Sequence, residues 1–200
     1  MNHLAHALIA ARTRSSLFGS LLGDFVKGEL GHQYDPATIA GVRLHRQVDA
    51  FTDAHAIVAR SRRRLRPPYR RYAGILVDMY YDHFLARDWS EYEREPLAQF
   101  VRRVYSLLAR RRDELPANMH RFADYLVRED LFAAYRSREG IARALAGVSG
   151  KLKRANPLAS GGEELERNYE GLEEDFRAFF PEVLAHAHSR VESLDQEVCR

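Results

Sequence analysis

Two carboxylates and a histidine lie inside a strongly apolar stretch of the chain, LVDMYYDHF (residues 76–84). Asp78 and Asp82 are four positions apart, so a helix would place them on one face, where their like charges repel. His83 follows Asp82 and would be turned about 100° around the same helix. A pair of carboxylates in apolar surroundings is stable only beside a cation or a basic partner. The pattern therefore indicates a buried cation site.

A second set of the same residue types lies in HRQVDAFTD (residues 45–53). His45, Asp49 and Asp53 recur at every fourth position and would share a helical face. An imidazole and carboxylates at this spacing make a partial site for a divalent ion. Each residue also has a structural alternative. Asp53 could cap a new helix start at Thr52-Asp53, the carboxylates could pair with arginines across a bundle, and His45 could be a core residue. Because both sets occur in one small chain, we favour a site.

Weaker candidates lie near the beginning of the chain. His3 and His6 are three positions apart in an apolar segment, and Asp24 interrupts the apolar run LLGDFV. The sequence has no Gly-x-Ser-x-Gly nucleophile elbow, no Gly-Lys-Ser phosphate loop and no Cys–His pair. The chemistry that these residues favour is therefore metal-assisted hydrolysis rather than acyl-enzyme chemistry.

Seven arginines fall within residues 60–71, a segment that contains no acidic side chain. A run of like charges is most often a solvated helix face. A concentrated basic surface also raises the local concentration of acidic partners, which include nucleic acids and small acidic proteins. No RNA-binding signature accompanies the run.

Helices are expected to carry all of these residues. Asp35-Pro36 predicts a helix start that reaches past Asp49, because Asp is a good cap and Pro suits the first turn. Pro67-Pro68 precedes a second predicted helix. No alternating strand pattern occurs. The chain has 200 residues, of which 46% are hydrophobic, and we predict one compact all-α multi-helix domain over residues 1–200. The predicted helices after Pro68 cover residues 72–85, 96–112, 116–126, 140–153 and 163–187.

The single cysteine, Cys199, excludes an intrachain disulfide and a cysteine metal site. No run of about 18 apolar residues occurs, and the first residues lack the pattern of a signal peptide. We therefore expect a cytoplasmic protein without a membrane span.

Several segments together resemble the acyl carrier protein phosphodiesterases, a family placed distantly among the HD-type metal phosphohydrolases. The matching segments span most of the chain and keep the family's order. They are MNHLAH, SLFGSLLGDFVKG, AGVRLHRQVDAFTD, VDMYYDHFLARDW, DYLVRED and NYEGLEEDFRAFFPE.

The resemblance implies a distantly HD-domain-like, all-α fold. It implies hydrolysis of the phosphodiester that links phosphopantetheine to a serine of holo-acyl carrier protein, with apo-carrier protein and free phosphopantetheine as products. It also implies a divalent metal, Mn²⁺ or alternatively Mg²⁺. No nucleic-acid partner is expected.

On this basis we assign expected roles to the site residues. The expected metal ligands are His45, Asp49, Asp78 and Asp82. The expected catalytic residues are Asp24, Asp53 and His83. Phosphate and carrier-protein binding are expected from Arg43, Arg46, Arg62, Arg63 and Arg66.

Two other functions fit the same residues. One is a different HD-type phosphohydrolase that acts on a nucleotide. The other is a helical module without enzymatic activity, in which the arginine run binds an acidic protein or RNA and the aspartates are ordinary ion-pair partners.

Overall fold

The computed structural model describes residues 1–30 and 33–198 of the chain. Over these residues the regular structure is entirely helical, which confirms the all-α prediction. The single cysteine, Cys199, lies outside the described residues. The α-helices are α1 (His3–Arg12), α2 (Leu17–Leu22), α3 (Pro36–Ala54), α4 (Ala56–Arg64), α5 (Ala73–Arg87), α6 (Trp89–Tyr92), α7 (Leu97–Arg110), α8 (Ala117–Arg128), α9 (Leu131–Ala134), α10 (Arg138–Lys151), α11 (Gly161–Arg167) and α12 (Tyr169–Val198). Short 3-10 helices cover Tyr69–Tyr72, Arg112–Glu114 and Leu158–Ser160.

Helix α3 begins as the sequence predicted. The Asp35 carboxylate accepts a hydrogen bond from the Thr38 backbone N–H at 2.7 Å, and Pro36 occupies the first helical position. The cap satisfies a backbone donor that the helix itself leaves free. The start of α3 is therefore fixed locally, and it sets the position of His45 and Asp49 on the following turns.

The prediction that Asp53 caps a new helix is wrong. Asp53 lies within the last turn of α3, because the Thr52 hydroxyl donates to the Val48 carbonyl at 2.8 Å and the helix continues to Ala54. The break falls at His55, whose ring Nδ1 accepts from the Ile57 backbone N–H at 3.3 Å and caps α4.

The other predicted helices are present with shifted ends. Helices α5, α7, α8 and α10 match the predicted segments within a few residues. The predicted helix over residues 163–187 is interrupted at Asn168, whose side-chain N–H donates to the Glu164 carbonyl at 2.9 Å and closes α11 before α12 begins. Pro181 lies inside α12.

Helices α1 and α5 form the centre of the molecule. From Leu4 to Ala10 every residue of α1 is buried, and 11 of the 15 residues of α5 are buried as well. A helix that is apolar on all sides must be surrounded by other elements. Here α2, α3, α10 and α12 surround them, and one hydrophobic core extends through all these helices. Polar side chains on α1 and α5 are consequently forced into the interior.

Helices α2 and α3 cross unusually closely, through two glycines. A β-carbon on Gly19 would lie 2.2 Å from the Thr38 carbonyl oxygen, and one on Gly41 would lie 2.6 Å from the Ser16 carbonyl oxygen. Only glycine allows this approach, which brings the end of α2 against His45. None of the described helices is both long and apolar enough to cross a membrane.

Candidate metal and active site

Two histidines and one aspartate from α1 and α3 form the densest group of potential metal ligands. His6 lies on α1, and His45 and Asp49 lie one turn apart on α3. One ligand atom from each of the three residues lies within 4.8 Å of the other two. His6 Nε2 is 2.9 Å from Asp49 Oδ1, and His45 Nε2 is 3.1 Å from Asp49 Oδ2.

The hydrogen bonds of His45 prepare its Nε2 for a cation. Its Nδ1 lies 2.8 Å from the Ser20 carbonyl oxygen, which can only accept, so Nδ1 carries a proton. The lone pair of the neutral ring is then on Nε2, which faces Asp49. Metal-binding histidines use this arrangement, in which the other ring nitrogen donates to a carbonyl group. On this observation the residues fit a divalent ion.

The two imidazoles have pKa values displaced in opposite directions. Burial and the charge of His45 lower the pKa of His6 to about 3. Burial also lowers the pKa of His45, but contacts with Asp24 and Asp49 outweigh it and raise that pKa to about 9. Burial raises the pKa of Asp49, but its contacts with both histidines hold it well below the usual range. The group therefore concentrates negative charge around one protonated ring.

Asp24 and His3 extend the group toward solvent. Asp24 lies just after α2, with its carboxylate half exposed. It is 3.5 Å from His45 Nε2 and 3.6 Å from His3 Nδ1. Burial raises the pKa of Asp24, but the contacts with His45 and His3 lower it to about 2, so the carboxylate is ionised at neutral pH. Burial lowers the pKa of His3 to about 4. Asp24 is thus a charged acceptor at the open side of the site.

Asp78 on α5 completes the cluster. It lies 3.6 Å from the N-terminal amine of Met1, which is also 3.2 Å from Asp49. Burial raises the pKa of Asp78, and its Oδ1 is buried without a hydrogen-bond partner. Asp24, Asp49 and Asp78 line one cavity of about 270 Å³. The Met1 amine therefore places one positive charge between Asp49 and Asp78.

Asp82 lies one turn further along α5 and has another set of partners. Its two oxygens accept hydrogen bonds from the Leu4 and Ala5 backbone N–H groups, both at 2.9 Å. Its side chain is completely buried. Burial raises the pKa of Asp82 to about 7, against the lowering effect of the two amides. The contacts of Asp82 hold the first turn of α1, which carries His3 and His6. Its predicted role as a metal ligand stays a prediction.

His83 is directed away from this cluster. Its Nδ1 donates to the Tyr135 carbonyl oxygen at 2.8 Å, and its Nε2 lies 2.8 Å from the Tyr169 hydroxyl. The Tyr169 hydroxyl also accepts from Arg87 at 2.7 Å. These contacts join α5 to α12 and to the segment after α9. The predicted catalytic role of His83 stays a prediction without a contact to the cavity.

Asp53 lines the cavity together with Asp49 and Asp78. Its carboxylate is largely exposed and accepts from Arg62 at 2.6 Å. The residue predicted as catalytic therefore lies at the rim, where the acidic cavity meets the basic segment.

Six of the seven arginines of residues 60–71 fall into two groups. Arg60 and Arg64 pair with the fully buried Asp175 at 2.6 and 2.9 Å, so they join α4 to α12. The second group lines an open groove of about 470 Å³, here called the arginine groove, which Asp53 also borders. Its lining residues are Asp53, Arg62, Arg63, Arg70, Arg71, Ala73 and Gly74.

The remaining predicted arginines lie elsewhere. Arg66 has an exposed side chain outside the arginine groove, and its backbone N–H donates to Glu164 at 2.9 Å. Arg46 donates to the carbonyls of Gly28 and Val26 at 2.9 and 3.0 Å, which holds the segment after α2. Arg43 is exposed on α3.

His6 belongs to this group, although the sequence makes it only a weak candidate. On sequence grounds His6 ranks with His3 below His45, because histidines near a terminus are often exposed. The sequence signal for a site is the spacing of three between His3 and His6 in an apolar segment, because a histidine in the core is stable only with a polar partner. No sequence pattern indicates that Gly23 supports the site. A β-carbon at this position would lie 2.2 Å from the His45 ring.

Comparison with known proteins gives one consistent family. The sequence profile described as acyl carrier protein phosphodiesterase matches residues 1–183. A protein of that name from Enterobacter sp. (strain 638) is 34% identical over 191 residues, which cover 95% of this chain and 99% of the relative. A protein of the same name from Serratia proteamaculans (strain 568) is 35% identical over 191 residues, which cover 95% of this chain and 99% of the relative. Another from Salmonella agona (strain SL483) is 35% identical over 94% of this chain and 97% of the relative. No solved structure matches significantly, and the likeness to HD-type enzymes stays a prediction.

Proposed function

The chain belongs to the acyl carrier protein phosphodiesterase family, and from this premise we propose that it removes phosphopantetheine from holo-acyl carrier protein. The observation that supports this activity is the group of His6, His45 and Asp49 beside a cavity lined by further carboxylates. Such a constellation is suited to the hydrolysis of a phosphodiester. We also propose that the protein acts in the cytoplasm, where its predicted partner, the carrier protein, is synthesised.

His6, His45 and Asp49 would hold a divalent ion, and Asp78 lies close enough to help. The chemistry that the ion supplies when bound is Lewis-acid activation of the phosphoryl group and of water. Mn²⁺ is the proposed ion, as the resemblance to the family implies, and Mg²⁺ is the alternative.

Asp24 is the residue proposed to orient the attacking water and to take its proton. It is ionised at neutral pH and half exposed at the open side of the site. As the water oxygen bonds to phosphorus, the bond between phosphorus and the serine oxygen breaks. The serine oxygen then takes up the proton that Asp24 received from the water, which yields the apo-carrier protein, and the phosphate leaves on the pantetheine arm.

Asp53 has a proposed positioning role at the rim. Its ion pair with Arg62 lies between the acidic cavity and the arginine groove, so it can hold Arg62 near an incoming phosphodiester. Arg43 and Arg46 lie within one turn of His45 along α3, and phosphate binding by these two residues is also proposed.

The arginine groove is the proposed docking surface for the acidic carrier protein, with Arg62 and Arg63 inside it and Arg66 on the exposed surface of the same segment. Arginine side chains in such a groove attract an acidic protein before any close contact forms. The groove borders the cavity at Asp53, so a carrier docked there would present its modified serine to the metal cluster.

The test is intact-mass analysis of holo-carrier protein after incubation with the purified enzyme and Mn²⁺. The carrier should lose the mass of phosphopantetheine, and a chelator should prevent the loss. Parallel reactions with Mg²⁺ and other divalent ions establish the metal preference. A carrier that keeps its arm with every ion tested would refute the proposed activity.

A further inference from the structure

Part of the cavity beside the metal cluster is aliphatic, and the proposed chemistry does not use it. Ile75 and Met79 from α5 and Val148 from α10 line the same cavity of about 270 Å³ as Asp49 and Asp78. Ile75 and Met79 are four positions apart and share a face of α5 with Asp78. One ligand in this cavity would therefore contact both carboxylates and aliphatic side chains.

Ile75 is exposed although it is a large aliphatic residue. Its exposed fraction is 37%, and among the described residues only Val127 and Leu152 are comparable large hydrophobic residues at the surface. Neither of those two lines the cavity. A ligand that covers Ile75 removes apolar surface from water, which stabilises the complex.

The aliphatic part of the cavity lies on a continuous path with the arginine groove. Asp53 borders both, and successive residues of α5 line them in order, Ala73 and Gly74 in the groove and Ile75 in the cavity. A ligand that extends from the groove into the cavity therefore meets cationic, acidic and aliphatic side chains. Holo-carrier protein has matching parts, namely an acidic protein, a phosphodiester and an arm that carries a geminal dimethyl group.

We propose that Ile75, Met79 and Val148 form the binding subsite for the pantetheine arm of the substrate. The inference rests on the proposed function, which supplies the identity of the ligand. The arm also contains amide groups, and Asn2 is the one uncharged polar side chain among the described residues that line the cavity. The aliphatic side chains bind the dimethyl and methylene groups of the arm, and Asn2 is within reach of its polar groups.

The experiment compares the double variant Ile75→Ser/Val148→Ser with the wild-type enzyme. Steady-state kinetics should show an apparent KM for holo-carrier protein that rises roughly tenfold, because lost contacts with methyl and methylene groups weaken binding. Inhibition by free phosphopantetheine should weaken by a similar factor, whereas inhibition by inorganic phosphate should not change. Val127→Ser is the matched control, since it removes an exposed aliphatic side chain outside the cavity.

Direct binding of free phosphopantetheine, followed by calorimetry, separates this inference from the proposed function. If wild-type enzyme binds the free arm and the double variant does not, the subsite stands even when no turnover is seen. If both proteins bind it equally, or neither binds it, the subsite is refuted even when the carrier is hydrolysed. Equal losses for phosphopantetheine and for inorganic phosphate would also overturn it, because they would indicate damage to the metal cluster instead.

Discussion

The rings of His6 and His45 lie face to face, with centroids 3.7 Å apart and planes inclined by 16°. Two protonated imidazoles at this separation would repel each other strongly, which agrees with the opposite displacements of their pKa values. At neutral pH the pair therefore carries one positive charge, because His45 holds an extra proton. A divalent ion would replace that proton as the positive charge beside Asp49, so metal binding should release protons.

Replacing either histidine of this pair should remove metal binding. His6→Gln and His45→Gln each delete a ligand nitrogen, and the affinity for Mn²⁺ of chelator-treated protein should fall at least about 100-fold. Calorimetric titration measures the change. His188→Gln is the control, because His188 is exposed on α12 away from the cluster. Unchanged Mn²⁺ affinity in His6→Gln would exclude this residue from the ligand set.

Gly23→Ala should impair the same site although it replaces no ligand. The added β-carbon would lie 2.2 Å from the His45 ring, so the ring must move away from Asp49. We expect weaker Mn²⁺ binding and reduced turnover, with the helical circular dichroism spectrum retained. Gly150→Ala is the control, since a β-carbon at that position of α10 meets nothing within 4 Å. Wild-type affinity in Gly23→Ala would show that the ring position is not critical.

Local sequence signals predicted the helices and part of the site. The cap at Asp35 and the proline at Pro36 fixed α3 because both act within a few residues. The prediction for Asp53 is wrong because the Thr52 hydroxyl can either cap a helix or donate a hydrogen bond to the preceding turn. Only the tertiary packing of α3 against α4 decides between these two arrangements.

Contacts between distant segments could not be predicted in the same way. Asp78 and Asp82 share a helical face, yet one lines the cavity and the other holds the first turn of α1. The difference depends on where the first turn of α1 packs against α5, which is a property of the whole fold. For the same reason the sequence could not separate Arg60 and Arg64, which pair with Asp175, from the arginines that line the groove.

Asp82→Asn should therefore mainly lower the stability of the protein, whereas Asp78→Asn should mainly lower its activity. Asn at position 82 would point an NH₂ group at one of two backbone N–H donors, and the free energy of unfolding should fall by roughly 1–3 kcal/mol. Asn at position 78 keeps the shape and breaks no hydrogen bond of Oδ1. It loses only the 3.6 Å ion pair with the Met1 amine, so its main effect should be lost activity. Thermal unfolding and turnover of both variants distinguish the two roles. Equal losses of stability would contradict the assignment of Asp82 to the α1 contact.

His45 should give the metal-free protein a stability that depends on pH. The pKa of His45 is raised from about 6.5 in the unfolded chain to about 9 in the folded protein. A raised pKa means that the folded state binds the proton more tightly, so this contribution is complete below about pH 6.5 and is lost as the pH rises through about 9. Urea unfolding with a chelator present should show a steeper decline over this range in the wild-type protein than in His45→Gln. Parallel curves for the two proteins would refute the displaced pKa.

The arginine groove should contribute to carrier binding and not to the chemical step. Arg63, Arg70 and Arg71 line it, whereas Arg62 is already paired with Asp53, so the cleaner variant replaces the first three by Ala. The apparent KM for holo-carrier protein should rise and its salt dependence should flatten, because exposed charges act mainly by steering the encounter. The turnover number should change little.

A variant of equal charge tests whether position matters. Arg102, Arg121 and Arg143 are exposed on α7, α8 and α10, and replacing these three by Ala lowers the net charge by the same amount. Each exposed ion pair contributes only roughly 0.2–1 kcal/mol, so a groove of three arginines must act collectively to change binding measurably. If the two triple variants raise the KM equally at low salt, only the net charge matters and the groove is not the docking surface. If the groove variant alone weakens binding, the carrier docks beside Asp53, where its modified serine can reach the metal cluster.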